Sequence, residues 1–345
     1  MGDEIQRRKA DHLDLCATDD VAFKQRTTLL EHVRLVHQSL PDLHADELDT
    51  TTHLLGRRLR FPLVIAGMTG GTERAADVNR ELAMIAEARG YGFGLGSQRA
   101  MQRAPETAWT YQVREHAPTA LLLGNVGVVQ ARELETAVLA ALVKDIGADA
   151  LCLHMNPAME LVQPGGDRDF RGGTDTFRRL CAELSVPVVA KETGNGVSAE
   201  TADKLYAAGV RHVDVSGAGG TSWVGVETLR AKDAQRALGE TLWDWGVPTA
   251  ASVALVARRG MKVIATGGVK SGLDVARAIA LGATVAGIAR PALQAWVQGG
   301  RAGAERFFYG VERELRAVML LTGSRDLPTL ARASRVITGE LRDWL

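Results

Sequence analysis

The sequence predicts an α/β fold, a (β/α)8 or TIM barrel with an N-terminal extension and an insertion between strands 6 and 7. Three observations predict it. Eight short apolar runs rich in β-branched residues recur along the chain, helix-like stretches lie between them, and the runs end in small or polar residues. Short runs bounded by glycine and helical pattern read as strands buried on both faces. Alternation of strand and helix implies a parallel sheet. Eight such units in 345 residues suit a closed barrel better than an open sheet.

The eight runs are Pro62–Ala66, Gly92–Gly96, Ala120–Asn125, Ala150–Asn156, Val186–Lys191, His212–Ser216, Lys262–Thr266 and Thr284–Ala289. Helical pattern covers Ala75–Arg89, Glu133–Ile146, Thr174–Leu184, Ala199–Ala208 and Leu273–Leu281, where Val275, Ala278 and Ile279 share a face. The longest interval separates the sixth and seventh runs. It contains Trp223, Trp243 and Trp245, which predicts an added helix or lid over the barrel mouth. Phe307, Val311, Leu315 and Met319 recur every fourth residue, so an amphipathic helix closes the chain against the barrel or a partner. The expected organisation is one domain over 1–345: a pre-barrel segment 1–60, a barrel 61–300 and a helical tail 301–345.

Composition excludes several classes. Hydrophobic residues at 46% and charged residues at 24% fit a globular protein with a large core. Lys plus Arg equals Asp plus Glu at 41 each, so no global charge supports nucleic-acid or membrane binding. Any anion site must be a local cluster. Cys16, Cys152 and Cys181 form neither a zinc-like spacing nor an even set, which favours a reducing, cytoplasmic setting. The charged start lacks a signal-peptide core, and no apolar run is long enough to span a bilayer.

In this fold the active site forms at the C-terminal ends of the strands. Those ends hold Met68 to Thr72, Ser97-Gln98-Arg99, Asn125, Asn156 with Glu160, Lys191-Glu192, Ser216 to Thr221, and Gly267-Gly268. Loops are polar anyway, so one such residue means nothing; polar ends on seven strands point to a ligand. Thr266-Gly267-Gly268-Val269, then Ala289-Arg290 one unit later, suits a phosphate held by glycine amides and a helix N-terminus. A plain tight turn is the bland reading of the glycine pair. The glycine loop Ser216 to Thr221 could lay flexible backbone against a flavin ring or phosphate, and its bland reading is a lid with no ligand contact. Lys191 ends an apolar strand, where an ammonium needs a partner. A ligand anion is the expected partner, ahead of an ion pair with Glu192. Glu160 is the candidate magnesium ligand, since Mg2+ takes one or two carboxylates beside substrate phosphates. Asp167-Arg168-Asp169 reads as a loop ion-pair cluster. Arg7-Arg8-Lys9 with His12 could close on a diphosphate, although a terminal basic run is commonly just solvated.

Taken in order, the motifs resemble the type 2 isopentenyl-diphosphate isomerases. The residues that carry this are Arg8-Lys9-Ala10-Asp11-His12-Leu13, Gly67-Met68-Thr69-Gly70-Gly71, Gly96-Ser97-Gln98-Arg99 and Gly124-Asn125. They continue through His154-Met155-Asn156-Pro157, Gly166-Asp167-Arg168-Asp169-Phe170, Val189-Ala190-Lys191-Glu192, Gly217 to Trp223 and Thr266-Gly267-Gly268. The resemblance implies an FMN-dependent barrel, a homotetramer or octamer. It implies interconversion of isopentenyl and dimethylallyl diphosphates with reduced FMN, Mg2+ and NADPH as reductant. It implies that Met68, Thr69, Ser97, Asn125, Lys191, Ser216, Thr221, Gly267, Gly268, Val269, Ala289 and Arg290 bind FMN. By the same resemblance Arg8, Lys9, His12, Ser97, Gln98, Arg99 and Asn156 hold the diphosphate, and Glu160 the metal.

One position departs from the family. Met159 stands where the family has the glutamine proposed to move the substrate proton. A thioether is apolar and essentially nonbasic. The flavin, a water or His154 takes the role, or the enzyme is slow, or its substrate differs. Rival readings are weaker. An α-hydroxy-acid oxidase needs a late-loop histidine, and Gly219-Gly220-Thr221-Ser222 offers none. An IMP-dehydrogenase type needs a loop cysteine. A flavin- or diphosphate-binding protein with lost catalysis rests on Met159 alone.

Overall fold

The computed structural model describes residues 2–18 and 20–345; the side chains of residues 2–7, Arg7 among them, lie outside the description. Eight parallel strands close into a barrel: β1 (Leu63–Ile65), β2 (Gly92–Gly94), β3 (Leu121–Gly127), β4 (Ala150–Met155), β5 (Val188–Glu192), β6 (His212–Asp214), β7 (Lys262–Ala265) and β8 (Val285–Ile288). All eight expected runs supply a strand. Each strand pairs with its sequence neighbours, and β8 pairs with β1. Val64, Leu121, Leu123, Ala150, Cys152, Val189, Ile264 and Val285 form one buried cluster with Leu54 and Leu59. Those two leucines come from an antiparallel hairpin, Thr52–Leu54 with Arg57–Leu59. The hairpin is an apolar cap on the interior of the barrel.

Helices follow the strands as the sequence predicts, and local signals set their ends. Helix α1 (Gly2–Ala17) precedes the barrel, and α2 (Glu73–Arg89) follows β1. The Thr72 hydroxyl accepts the Ala75 N–H to start α2, and Gly90 at φ 71° ends it. Helix α3 (Pro157–Val162) follows β4, and α4 (Trp223–Arg230) with α5 (Asp233–Leu242) form the insertion between β6 and β7. Trp243 is buried behind them and its Nε1 donates to the Ala22 carbonyl at 2.8 Å, whereas Trp245 is exposed. Helix α6 (Gly272–Ala280) begins at Ser271, whose hydroxyl accepts the Asp274 N–H.

Helix α7 (Arg290–Leu321) is broken at Gly299 and Gly300. The break separates the last barrel helix from the tail helix, on which Val311, Leu315 and Met319 are buried together with Phe308. Phe307 is only partly buried and reaches the cavity described below. The tail is not wholly helical: Arg335–Ile337 pairs antiparallel with Val33–Leu35 of the pre-barrel segment. Three-residue strands about three hundred positions apart leave no periodic trace. No helix among the described residues is long and apolar enough to cross a membrane.

Candidate active site

A cavity of about 570 Å³ opens at the C-terminal ends of the strands. That volume lies in the range of small-molecule sites. Every residue given an FMN, diphosphate, metal or catalytic role from the sequence lines it except Gln98. Gln98 is fully buried: its Oε1 accepts the Asn125 N–H at 3.0 Å and its Nε2 donates to the Leu142 carbonyl at 2.9 Å. It braces β3 from behind and does not face a diphosphate. Its position after a strand end is right, but its side chain turns into the protein.

One wall is glycine backbone. Gly267 and Gly268, after β7, have φ of 96° and 75°. A Cβ on Gly267 would run into the Gly217 backbone, and one on Gly220 would run into the backbone of Gly268. The loops after β6 and β7 therefore touch backbone to backbone, and only glycine permits this. Arg290 opens α7 beside them, and its Nη1 is buried with no hydrogen-bond partner. Arg290 lines the cavity, and a guanidinium with a nitrogen left unpartnered calls for an anion. Met68, Thr69, Ser97, Val269 and Ala289 also line the cavity.

Lys191 does not pair with Glu192. Its Nζ donates to Asp214 Oδ2 at 2.8 Å. Burial pulls the ammonium down, but the charge and hydrogen bond of Asp214 more than offset this and hold it above its ordinary value. Glu192 turns away and accepts backbone N–H bonds from Thr193 at 2.6 Å and Gly196 at 3.1 Å. Burial pushes its carboxyl up to about 8, against those bonds.

Another part of the lining is cationic. Helix α1 brings in Arg8, Lys9 and His12, the short helical turn Arg99–Arg103 after β2 brings Arg99, and α3 brings Glu160. Burial, then the like charge of Arg99, hold Arg8 below its ordinary value. Burial and then Arg8 lower Lys9 to about 7. Lys9 Nζ donates to the Ser97 carbonyl at 3.1 Å and contacts the Tyr111 hydroxyl, which itself donates to Ser97 at 2.8 Å. Arg99 Nε is a second buried nitrogen without a partner. Glu160 is buried; its Oε1 accepts from Asn156 at 2.9 Å and its Oε2 from the Asp167 N–H at 2.8 Å. No cluster of three metal-ligating side chains exists among the described residues.

His154 also lines the cavity. Asn125 Nδ2 donates to the Leu95 carbonyl at 3.2 Å, which fixes its amide. Asn125 Oδ1 must then accept from His154 Nδ1 at 2.9 Å. Nδ1 carries the proton, and Nε2 is left with a bare lone pair. Burial, then Lys191, lower this imidazole to about 4, so it is neutral near pH 7. Met159 Sδ stands 3.7 Å from Asn156 Nδ2, a weak contact in place of an amide. Asp167 joins Arg99 at 3.9 Å and Gln130 at 2.7 Å, and Asp169 pairs with Arg171. Burial pushes the Cys16 and Cys152 thiols up to about 12, which leaves them inert.

Sequence reasoning missed Asp214 and Tyr111. Asp214 left a signal, an acid inside the apolar run that ends at Ser216; Tyr111 left none.

The profile of FMN-dependent dehydrogenases matches residues 2–160 and 159–336. An isopentenyl-diphosphate delta-isomerase of Methanothermobacter thermautotrophicus is 44% identical over 99% of this chain and 96% of its own. One from Nostoc sp. is 44% identical over 95% of this chain and 94% of its own. The chain belongs to the isopentenyl-diphosphate delta-isomerase family. Among solved structures, a mandelate oxidase variant with (S)-mandelic acid matches at a TM-score of 0.65 with 18% identity, covering 98% of each chain. That likeness is one of fold: the family shares the barrel with hydroxy-acid oxidases and departs from them in its residues.

Proposed function

We propose that this chain interconverts isopentenyl and dimethylallyl diphosphates by a 1,3-allylic proton shift, with reduced FMN, Mg2+ and NADPH as reductant. The observation that carries the reading is that Arg99 and Arg290 both line one cavity and each keeps a buried guanidinium nitrogen, Nε and Nη1, without a hydrogen-bond partner. They belong to different elements, and each asks for its own phosphate. Near Arg290 the glycine cradle suits the phosphate of FMN. Near Arg99 the set Arg8, Lys9, His12, Ser97 and Asn156 suits a diphosphate. Glu160, a single carboxylate beside that set, fits a metal that takes its other ligands from phosphate and water.

Bound FMN would supply an apolar floor and an acid/base group at the barrel mouth. The protein's part is to bind, orient and dry the substrate. Cations on the diphosphate anchor one end, and helix α1 over the cavity excludes water. His154 Nε2 is the side-chain acceptor we assign to the role vacated at Met159. A proton beside a developing cation is acidic, so a neutral imidazole lowered to about 4 is base enough. A second reading, FMN and diphosphate binding with altered catalysis, draws on Met159 alone.

We extend the proposal to a one-domain chain that works in the cytoplasm as a homo-oligomer, a tetramer or octamer. The free cysteines suit a reducing compartment. Val36, Leu40, Leu321 and Val336 expose apolar surface around the terminal ribbon.

The test is anaerobic turnover. The purified protein is reduced with NADPH, given isopentenyl diphosphate and Mg2+, and followed by NMR. Dimethylallyl diphosphate that forms only with FMN and metal present supports the reading. Bound FMN without product removes the isomerase assignment, and failure to hold FMN removes the cofactor assignment.

A further inference from the structure

Asp214 is an acid in the barrel interior, 4% exposed. Strand register places it beside Lys191 on β5 and Ile264 on β7. A buried ion pair is seldom the most stable choice, since apolar residues of equal volume commonly do as well. Its geometry shows another use. Asp214 Oδ2 takes one proton of the Lys191 ammonium at 2.8 Å. Oδ1 takes the Thr266 hydroxyl, and Thr266 Oγ1 accepts the Ser216 N–H at 3.0 Å. Ser216 has a φ of 34°, strained for a residue with a side chain, and it opens the glycine loop on the cavity.

One carboxylate thus joins two parts of the proposed FMN wall. Lys191 lines the cavity, and no protein acceptor besides Asp214 meets its ammonium among the described residues. How much positive charge reaches a bound ring depends on how much Asp214 offsets. We propose that Asp214 is a positioning residue that sets the electron affinity of the bound flavin, by aiming and partly offsetting the Lys191 charge and by fixing Ser216 through Thr266. The proposal rests on the FMN reading above.

The experiment measures the two-electron midpoint potential of bound FMN against reference dyes, together with FMN affinity. Asp214→Asn keeps a hydrogen-bonding group and removes the charge. It raises the reduced-to-oxidised ratio at fixed potential at least about tenfold, or ~30 mV for a two-electron couple. Asp214→Glu restores the wild-type value to within about threefold. In a Lys191→Met background the effect at least halves, because a buried carboxylate without its ammonium takes up a proton. A potential unchanged in Asp214→Asn overturns the proposal, and so does the same full shift in both backgrounds. Should Asp214→Asn fail to fold, Thr266→Val asks the question in reverse. Loss of the hydroxyl leaves more carboxylate charge on Lys191 and lowers the potential, and no change overturns the proposal. Failure of the wild-type chain to bind FMN is a different result and overturns the cofactor reading itself.

Discussion

Lys9 offers the sharpest measurement at the substrate end. Burial lowers its ammonium to about 7, so near neutral pH the free protein holds a mixture of amine and ammonium. A diphosphate binds the charged form. A charge-assisted hydrogen bond contributes about 1.5–3 kcal/mol, roughly 10- to 150-fold in affinity. At about pH 6 Lys9→Met should lose that much affinity for inorganic pyrophosphate. At about pH 9 the wild type lies two units above its own value and must first load a proton, at a cost of about 2.7 kcal/mol. That nearly cancels the contact. The wild-type advantage over Lys9→Met should therefore be full below pH 7 and shrink towards one as pH rises. Taking the ratio removes the titration of pyrophosphate itself. Calorimetry in buffers of different ionisation enthalpy should show the wild type taking up more of a proton than the variant between about pH 7 and 9, where the ratio falls, and no more than the variant where it is flat. A ratio that stays flat from about pH 6 to 9 would refute the argument from burial.

Three further substitutions test the rest of the site. Gly267→Ala forces a Cβ into the Gly217 backbone at a φ of 96°; it should cost about 1–3 kcal/mol of stability and weaken FMN retention, and an unchanged melting temperature and FMN affinity would count against the cradle. Met159→Gln should change turnover less than about tenfold, while His154→Gln removes about a hundredfold or more; a large gain from Met159→Gln would mark a degraded site and not a reassigned one.

The strands were legible because parallel barrel strands are buried on both faces, so each stands out as an apolar run. The site was legible because the fold gathers the strand ends. Side-chain direction was less so. Gln98 sits at a strand end, but only the packed structure shows its amide spent on Asn125 and Leu142. Lys191 needed a partner, and the nearest acid in sequence, Glu192, points to the opposite side because successive strand residues alternate. Asp214, across the register, is the partner. Tyr111 meets Lys9 over a separation that no local pattern encodes.

The insertion and the N-terminal helix explain one another. Arg8 and Lys9 lie far in sequence from the barrel and belong to the site only if α1 is held over the mouth. Glu227 of α4 is fully buried; it meets His12 Nε2 at 2.8 Å and takes Arg230 Nη1 at 2.7 Å. Arg230 also reaches Asp11 at 3.2 Å, and the His12 ring stands edge-on to Trp223 at 5.2 Å. Burial lowers His12, and Glu227 only partly offsets it, so the Glu227–Arg230 pair carries the charge and His12 joins as a hydrogen-bonding group. A buried carboxylate that lost these partners would be costly. The added helices between strands 6 and 7 therefore give α1 a polar seat that a bare barrel rim lacks. That seat puts the cations of α1 over the cavity.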